Sequence, residues 1–245
     1  MRELVRRLIV IGLTCLVAGE APGGEDPSVR ETPGLRATQV TVAIDRNGSR
    51  RQFRATVMAR TDDTLTLLTA AHCLSEHDRD GPARLTFEGE TLVGTLESVV
   101  RNPSYRPNNP REVPGPDSAV ARLRFEAGHR AEGSAYRAIR PAPALTTRTY
   151  PGPGGQTISV RMVDRLGVEH AVRAGNYSNP RWLEWGPAYK PIEGDSGGGV
   201  FVVPEGPDGQ VRPILIGIIV GRDDRGGGAS LVSLDQRWLA EALPR

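Results

Sequence analysis

A serine enclosed by glycines, Gly194-Asp195-Ser196-Gly197-Gly198-Gly199, constrains this chain more than any other stretch, and it runs straight into the apolar segment Val200-Phe201-Val202-Val203. Glycine is the residue of tight turns, where φ is positive or another backbone must approach closely. A serine fixed in such a turn is placed as a nucleophile would be. It remains a weak one until a neighbouring base takes its proton. The chain has four histidines, His72, His77, His129 and His170, and all of them precede Ser196. Any imidazole base therefore comes from the N-terminal side, and the fold must bring a distant segment back to this turn.

Gly194-Asp195-Ser196-Gly197-Gly198 also fits the G-x-S-x-G elbow of the α/β-hydrolases, whose triad runs serine, acid, histidine. With no histidine after Ser196 that order fails, leaving the order His, Asp, Ser. His72 lies in Thr69-Ala70-Ala71-His72-Cys73, and Asp117 opens Asp117-Ser118-Ala119-Val120. In these three segments the chain resembles the trypsin/chymotrypsin-like serine peptidases, whose patterns T-A-A-H-C, D-[IS]-A-[LV] and G-D-S-G-G it matches in the same order. The resemblance spans roughly Val40 to Leu243 and is nearer to bacterial secreted members than to disulfide-rich animal ones. It implies an all-β fold of two packed six-stranded antiparallel Greek-key β-barrels with a C-terminal helix.

Residues 1–21 read as a signal peptide. Arg2, Arg6 and Arg7 precede the apolar run Leu8 to Ala18, and small residues follow. The run is too short to span a bilayer, so export to the periplasm or the outside is expected, without stable membrane insertion. Cleavage after Ala21 leaves 224 residues with 28 Lys and Arg against 27 Asp and Glu. A charge near zero and the lack of a basic tract argue against a nucleic-acid partner. Only Cys73 then remains, so no intramolecular disulfide can form, and it reads as a small buried apolar residue.

Residues 22–38, rich in Pro, Gly and charge, read as a flexible leader before a domain over 39–245. Strand signals cover 39–44, 53–60, 64–69, 85–87 and 91–100, with Asn47-Gly48 as a hairpin turn. The proline-studded stretch 101–116 must be a surface loop, and it delivers Asp117 to the start of another strand. The first barrel thus takes about 39–125, a Pro/Gly-rich linker about 126–155, and the second barrel about 156–235. Within that barrel 157–163, 169–172, 214–221 and 231–234 read as strands, Gly226-Gly227-Gly228 as a loop, and 236–243 as the helix. Tyr177, Trp182 and Trp185 either line substrate subsites or cover core. His77 sits in a charged, solvated stretch, His129 on the linker surface, and neither spacing nor flanks favour a metal site; no cofactor is expected.

The resemblance implies a serine endopeptidase acting through an acyl-enzyme on a protein or peptide substrate, with a monomeric chain. Ser196 is the nucleophile, His72 the base, Asp117 the residue that orients the imidazole, and the N–H groups of Gly194 and Ser196 the oxyanion hole. In zymogen-activated relatives the equivalent of Asp195 pairs with a new N-terminus freed at an Ile-Val-Gly-Gly-like sequence, which does not occur near residues 22–45. Either Asp195 finds another donor or a partner orders the site. Lys190 stands six residues before Ser196, where Arg/Lys-specific relatives carry an aspartate, and Val220 and Arg222 fall near the implied pocket entrance. Poor cleavage after Arg or Lys is therefore expected. The rival readings are a catalytically silent exported binding protein on this fold and a serine esterase.

Overall fold

The structure is a computed structural model that describes residues 32–46, 48–106, 116–125, 134–142, 157–175, 182–204, 213–223, 226–231 and 235–243. The signal segment 1–21, Tyr177 and His129 lie outside the described residues.

Alternating apolar and polar residues build the first barrel. In β4 (Pro82–Phe87), Ala83, Leu85 and Phe87 are buried while Pro82 and Arg84 face water. The other strands are β1 (Gln39–Arg46), β2 (Ser49–Arg60), β3 (Thr64–Thr69), β5 (Glu90–Arg101) and β6 (Ala119–Phe125). The spatial order is β1-β2-β3-β6-β5-β4, closed by β1 pairing with β4, and every pair is antiparallel. The chain thus leaves β3, builds β4 beside β1, and returns with β6 next to β3.

The second barrel repeats this plan six strands later. Its strands are β7 (Ile158–Val163), β8 (Glu169–Gly175), β9 (Trp182–Trp185), β10 (Gly199–Val202), β11 (Ile214–Asp223) and β12 (Gly226–Ser230). They run in the order β7-β8-β9-β12-β11-β10, closed by β10 pairing with β7. The expected all-β architecture of two six-stranded antiparallel barrels is what the chain forms. β11 is apolar on both faces because each meets a core. Ile216 and Ile219 join the second barrel's interior, whereas Leu215, Ile218 and Val220 pack with the first-barrel cluster.

Two expectations need correction, and the linker carries an element the sequence reading did not give it. The leader ends earlier than residue 38. Leu35 is fully buried in the first-barrel cluster, Arg36–Thr38 form a 3-10 turn, and Thr32 donates from N–H and Oγ1 to the Glu169 carboxylate at 2.9 and 2.7 Å. One leucine in a Pro/Gly-rich stretch carries no periodicity, so its burial leaves no pattern to read. The linker holds a one-turn helix, α1 (Ser134–Ala138), whose Tyr136 hydroxyl donates to the Thr61 carbonyl at 2.8 Å. Lastly, the glycine run expected as a loop is a strand, Gly226–Ser230, and of the expected strand 231–234 only Leu231 is described. A Cβ at Gly227 would lie 2.5 Å from the Trp185 ring, and one at Gly226 would meet the Trp185 carbonyl at 1.9 Å. Bare backbone is what lets this strand lie beside β9.

The terminal helix α2 (Gln236–Ala242) buries Leu239 in the cluster shared by the first-barrel core and the outward face of β10 and β11.

Candidate active site

Strand register accounts for the first pairing. β3 and β6 are neighbours with Thr69 opposite Ala119, so His72, three residues past Thr69, and Asp117, two before Ala119, leave the barrel at the same end. His72 sits in the 3-10 turn Ala71–Cys73. Its backbone N–H donates to Asp117 Oδ1 at 3.0 Å, and its Nδ1 lies 2.6 Å from Oδ2. The main-chain contact fixes the carboxylate beside His72, and the Nδ1 contact orients the ring toward it. That Nδ1 contact also selects the neutral tautomer with Nδ1–H toward Asp117, which leaves Nε2 as the acceptor. Asp117 is itself anchored across the barrels, its N–H donating to Ser230 Oγ on β12 at 3.3 Å. Burial opposes the charged imidazole, but the hydrogen bond to Asp117, joined by Cys73, outweighs it and raises the His72 pKa above its ordinary 6.5.

Ser196 reaches this place through its main chain. Its carbonyl accepts from the Arg54 N–H of β2 at 2.9 Å and lies 3.9 Å from Cys73 Sγ, the residue after His72. Gly197 N–H donates to the Ile219 carbonyl at 2.7 Å, and Ile219 N–H to the Gly198 carbonyl at 2.8 Å. The turn is thereby clamped between one barrel's β2 and the other's β11. Gly194 and Gly197 have φ of +98° and +88°, the left-handed region that glycine tolerates. No hydrogen bond joins the Ser196 hydroxyl to the imidazole among the described residues; in unliganded sites such contacts are often long and tighten with substrate.

The turn leaves two donors unspent. Asp195 N–H donates to the Ile192 carbonyl, Gly198 N–H to the Asp195 carbonyl, and Gly197 N–H to Ile219, all within the turn or to β11. The N–H groups of Gly194 and Ser196 have no acceptor among the described residues. They flank Asp195, whose side chain is fully engaged by this chain. Asp195 is 0% exposed, and its Oδ1 accepts from Arg165 N–H at 2.8 Å while Oδ2 accepts from Tyr189 Oη–H at 2.9 Å and Ile192 N–H at 2.7 Å. Three donors from this chain therefore hold the carboxylate.

Tyr189 is the residue that sequence reasoning missed. Its ring stacks on His170 with centroids 4.1 Å apart, its carbonyl accepts from Trp185 Nε1 at 2.9 Å, and burial with the adjacent Asp195 pushes its phenol pKa up. Both effects favour the neutral phenol that donates to Asp195. Loss of one hydrogen bond to a buried charge costs about 2 kcal/mol. Tyr189→Phe is accordingly expected to lower the thermal midpoint by roughly 4–8 °C. A melt equal to wild type would show that the phenol does not hold Asp195.

The pocket candidates differ in their surroundings. Lys190 is exposed, Val220 is buried in the first-barrel cluster, and Arg222 pairs through its backbone with Gly227, its side chain lying outside the described set. Trp185 is core of the second barrel and Trp182 packs half-buried on the first-barrel cluster. His77 is exposed. No protein-family model matches the chain, and no curated protein matches it.

Proposed function

We propose that this protein is an exported serine endopeptidase that cleaves its substrate through an acyl-enzyme formed on Ser196. The observation that carries the reading is the conjunction of a histidine bound by Asp117 through both its backbone N–H and its ring Nδ1 with a serine turn whose Gly194 and Ser196 N–H groups have no acceptor among the described residues. Ser196 Oγ attacks the scissile carbonyl and His72 Nε2 accepts its proton. The C–O bond forms as the carbonyl π bond opens, and the resulting oxyanion takes hydrogen bonds from the two unspent N–H groups, each worth about 3 kcal/mol in such a site. Collapse of the tetrahedral intermediate breaks the C–N bond, and His72 returns the proton to the leaving amine. Water, deprotonated by the same imidazole, then releases the acyl group and regenerates Ser196. Asp117 stabilises the imidazolium in both steps. The donors to Asp195 give a reason for the turn to be formed without a liberated N-terminus.

Casein turnover by the purified protein, abolished by a serine-reactive inhibitor, is the expected result; a protein that leaves casein, peptide amides and activated esters intact sinks the reading.

The pH dependence follows from His72. Only the neutral imidazole can accept a proton, and its pKa lies above 6.5 in the folded chain, so kcat/KM should rise with pH through a midpoint above 6.5. Asp117→Asn removes the carboxylate that raises it. That variant should show a lower midpoint and a kcat reduced by about 10⁴. A midpoint unmoved by Asp117→Asn would contradict the pairing. Stability carries the opposite sign. The raised pKa stabilises the fold fully below about pH 6.5, and this contribution is lost as pH rises through the folded value.

A further inference from the structure

A cleft of about 300 Å³ opens where β1 and the β4–β5 turn of the first barrel face the β7–β8 turn of the second. Its lining brings together Arg36, Arg54 and Arg165, with Thr41 beside them and Glu88 as the one carboxylate. We propose that this cleft binds a phosphate group, either as the free anion or carried on a small molecule.

Arg54 is the centre of the argument. It is 5% exposed, its Nη1 donates to Thr41 Oγ1 at 3.0 Å, and its Nε is buried without an acceptor. Two carboxylates lie within electrostatic reach, but each takes its hydrogen bonds from other donors and neither bonds Arg54. Asp195 is taken by Arg165 N–H, Tyr189 and Ile192 N–H, and Asp164 by Leu166 N–H, Val168 N–H and His170. Burial accordingly lowers the Arg54 pKa to about 10 in spite of both aspartates. A buried cation short of acceptors is costly, and an anion in the adjoining cleft relieves that cost.

The second guanidinium, on Arg165, is exposed and makes no ion pair among the described residues. Arg36, which is otherwise engaged as well, adds its charge from the segment before β1. Guanidinium groups arriving from three separate elements suit a tetrahedral oxyanion, which offers acceptors in several directions, better than a planar carboxylate. The cleft is larger than a bare phosphate, so it has room for the organic part of a phosphomonoester. The site also lies directly behind the nucleophile turn. Arg54 N–H holds the Ser196 carbonyl and Arg165 N–H holds Asp195, so the residues that would grip the anion also brace the turn.

Titration calorimetry on the full chain tests this without reference to catalysis. Inorganic phosphate and β-glycerophosphate are titrated separately, with chloride holding the ionic strength constant. Saturable binding of at least one probe at one site is expected. Arg165→Gln, which keeps the main-chain bond to Asp195, should weaken it about tenfold or more, the value of one charge-assisted hydrogen bond. Glu88→Gln should tighten it, and Arg237→Gln, on the exposed face of α2, should leave it unchanged. Tighter binding of the ester identifies a phosphorylated small molecule, and equal or tighter binding of inorganic phosphate the free anion. Absence of saturable heat with both probes, or affinity unaltered in both Arg165→Gln and Arg36→Gln, overturns the proposal.

Discussion

Ser196→Ala is expected to lower kcat on a peptide amide by about six orders of magnitude while leaving the thermal midpoint where it is. The two halves of this expectation have separate origins. The hydroxyl makes no hydrogen bond among the described residues, so its removal orphans no partner, and the turn is held by main-chain bonds that alanine keeps. The rate, by contrast, loses the only atom that can form the acyl bond. Adding His72→Ala to the Ser196→Ala chain should cost almost nothing more, because a base without a nucleophile has no proton to take. Steady-state kinetics of the two single variants and the double variant check this, and multiplicative losses would mean that His72 and Ser196 do not act on the same step.

Among the described glycines of positive φ, Gly197→Ala should be the most damaging substitution. A Cβ there would stand 2.0 Å from Thr69 Oγ1 and 2.2 Å from the Arg54 carbonyl, and those two atoms are already hydrogen-bonded to each other at 2.8 Å. Neither is the flexible end of a long side chain, and φ of +88° adds strain for any residue with a Cβ. Overpacking and backbone strain together give about 4 kcal/mol or more. For a domain of this size that is a fall of roughly 10 °C or more in the thermal midpoint. Gly34→Ala is the control. Its φ is +77° but nothing lies within 4 Å of the added carbon, so only the strain remains, about 1 kcal/mol. Equal melting points for the two variants would show that the approach of the serine turn to β2 and β3 is not close.

Much of the architecture is legible because strands carry a period of two. The strand expected at 85–87 is the end of β4, which begins three residues earlier and alternates buried Ala83, Leu85 and Phe87 with exposed Pro82 and Arg84. The apolar run from Ile214 to Val220 announces a strand buried on both faces. The glycine pair around Asp195-Ser196 is legible for a different reason: positive φ restricts composition so strongly that the turn shows in one dimension. His72 and Asp117 meet through strand register, which the segments themselves suggest once β3 and β6 are neighbours. What stays hidden depends on single contacts. Leu35 enters the core from a stretch that looks like a leader, and Gly226 to Gly228 form a strand because Trp182 and Trp185 occupy the space their side chains would need. Tyr189 holds Asp195 from six residues away, and Ser230 braces Asp117 from the other barrel. No local pattern encodes a donor that is local only in three dimensions.

The central claim is that the Gly194–Ser196 turn and the His72–Asp117 pair form one nucleophilic site, and intact-mass analysis after incubation with a fluorophosphonate tests it most directly. The account predicts a single adduct on the native protein, mapped to Ser196, formed far more slowly in His72→Ala and absent from Ser196→Ala. A native protein that takes up no reagent, or an adduct that persists undiminished in Ser196→Ala, would contradict it.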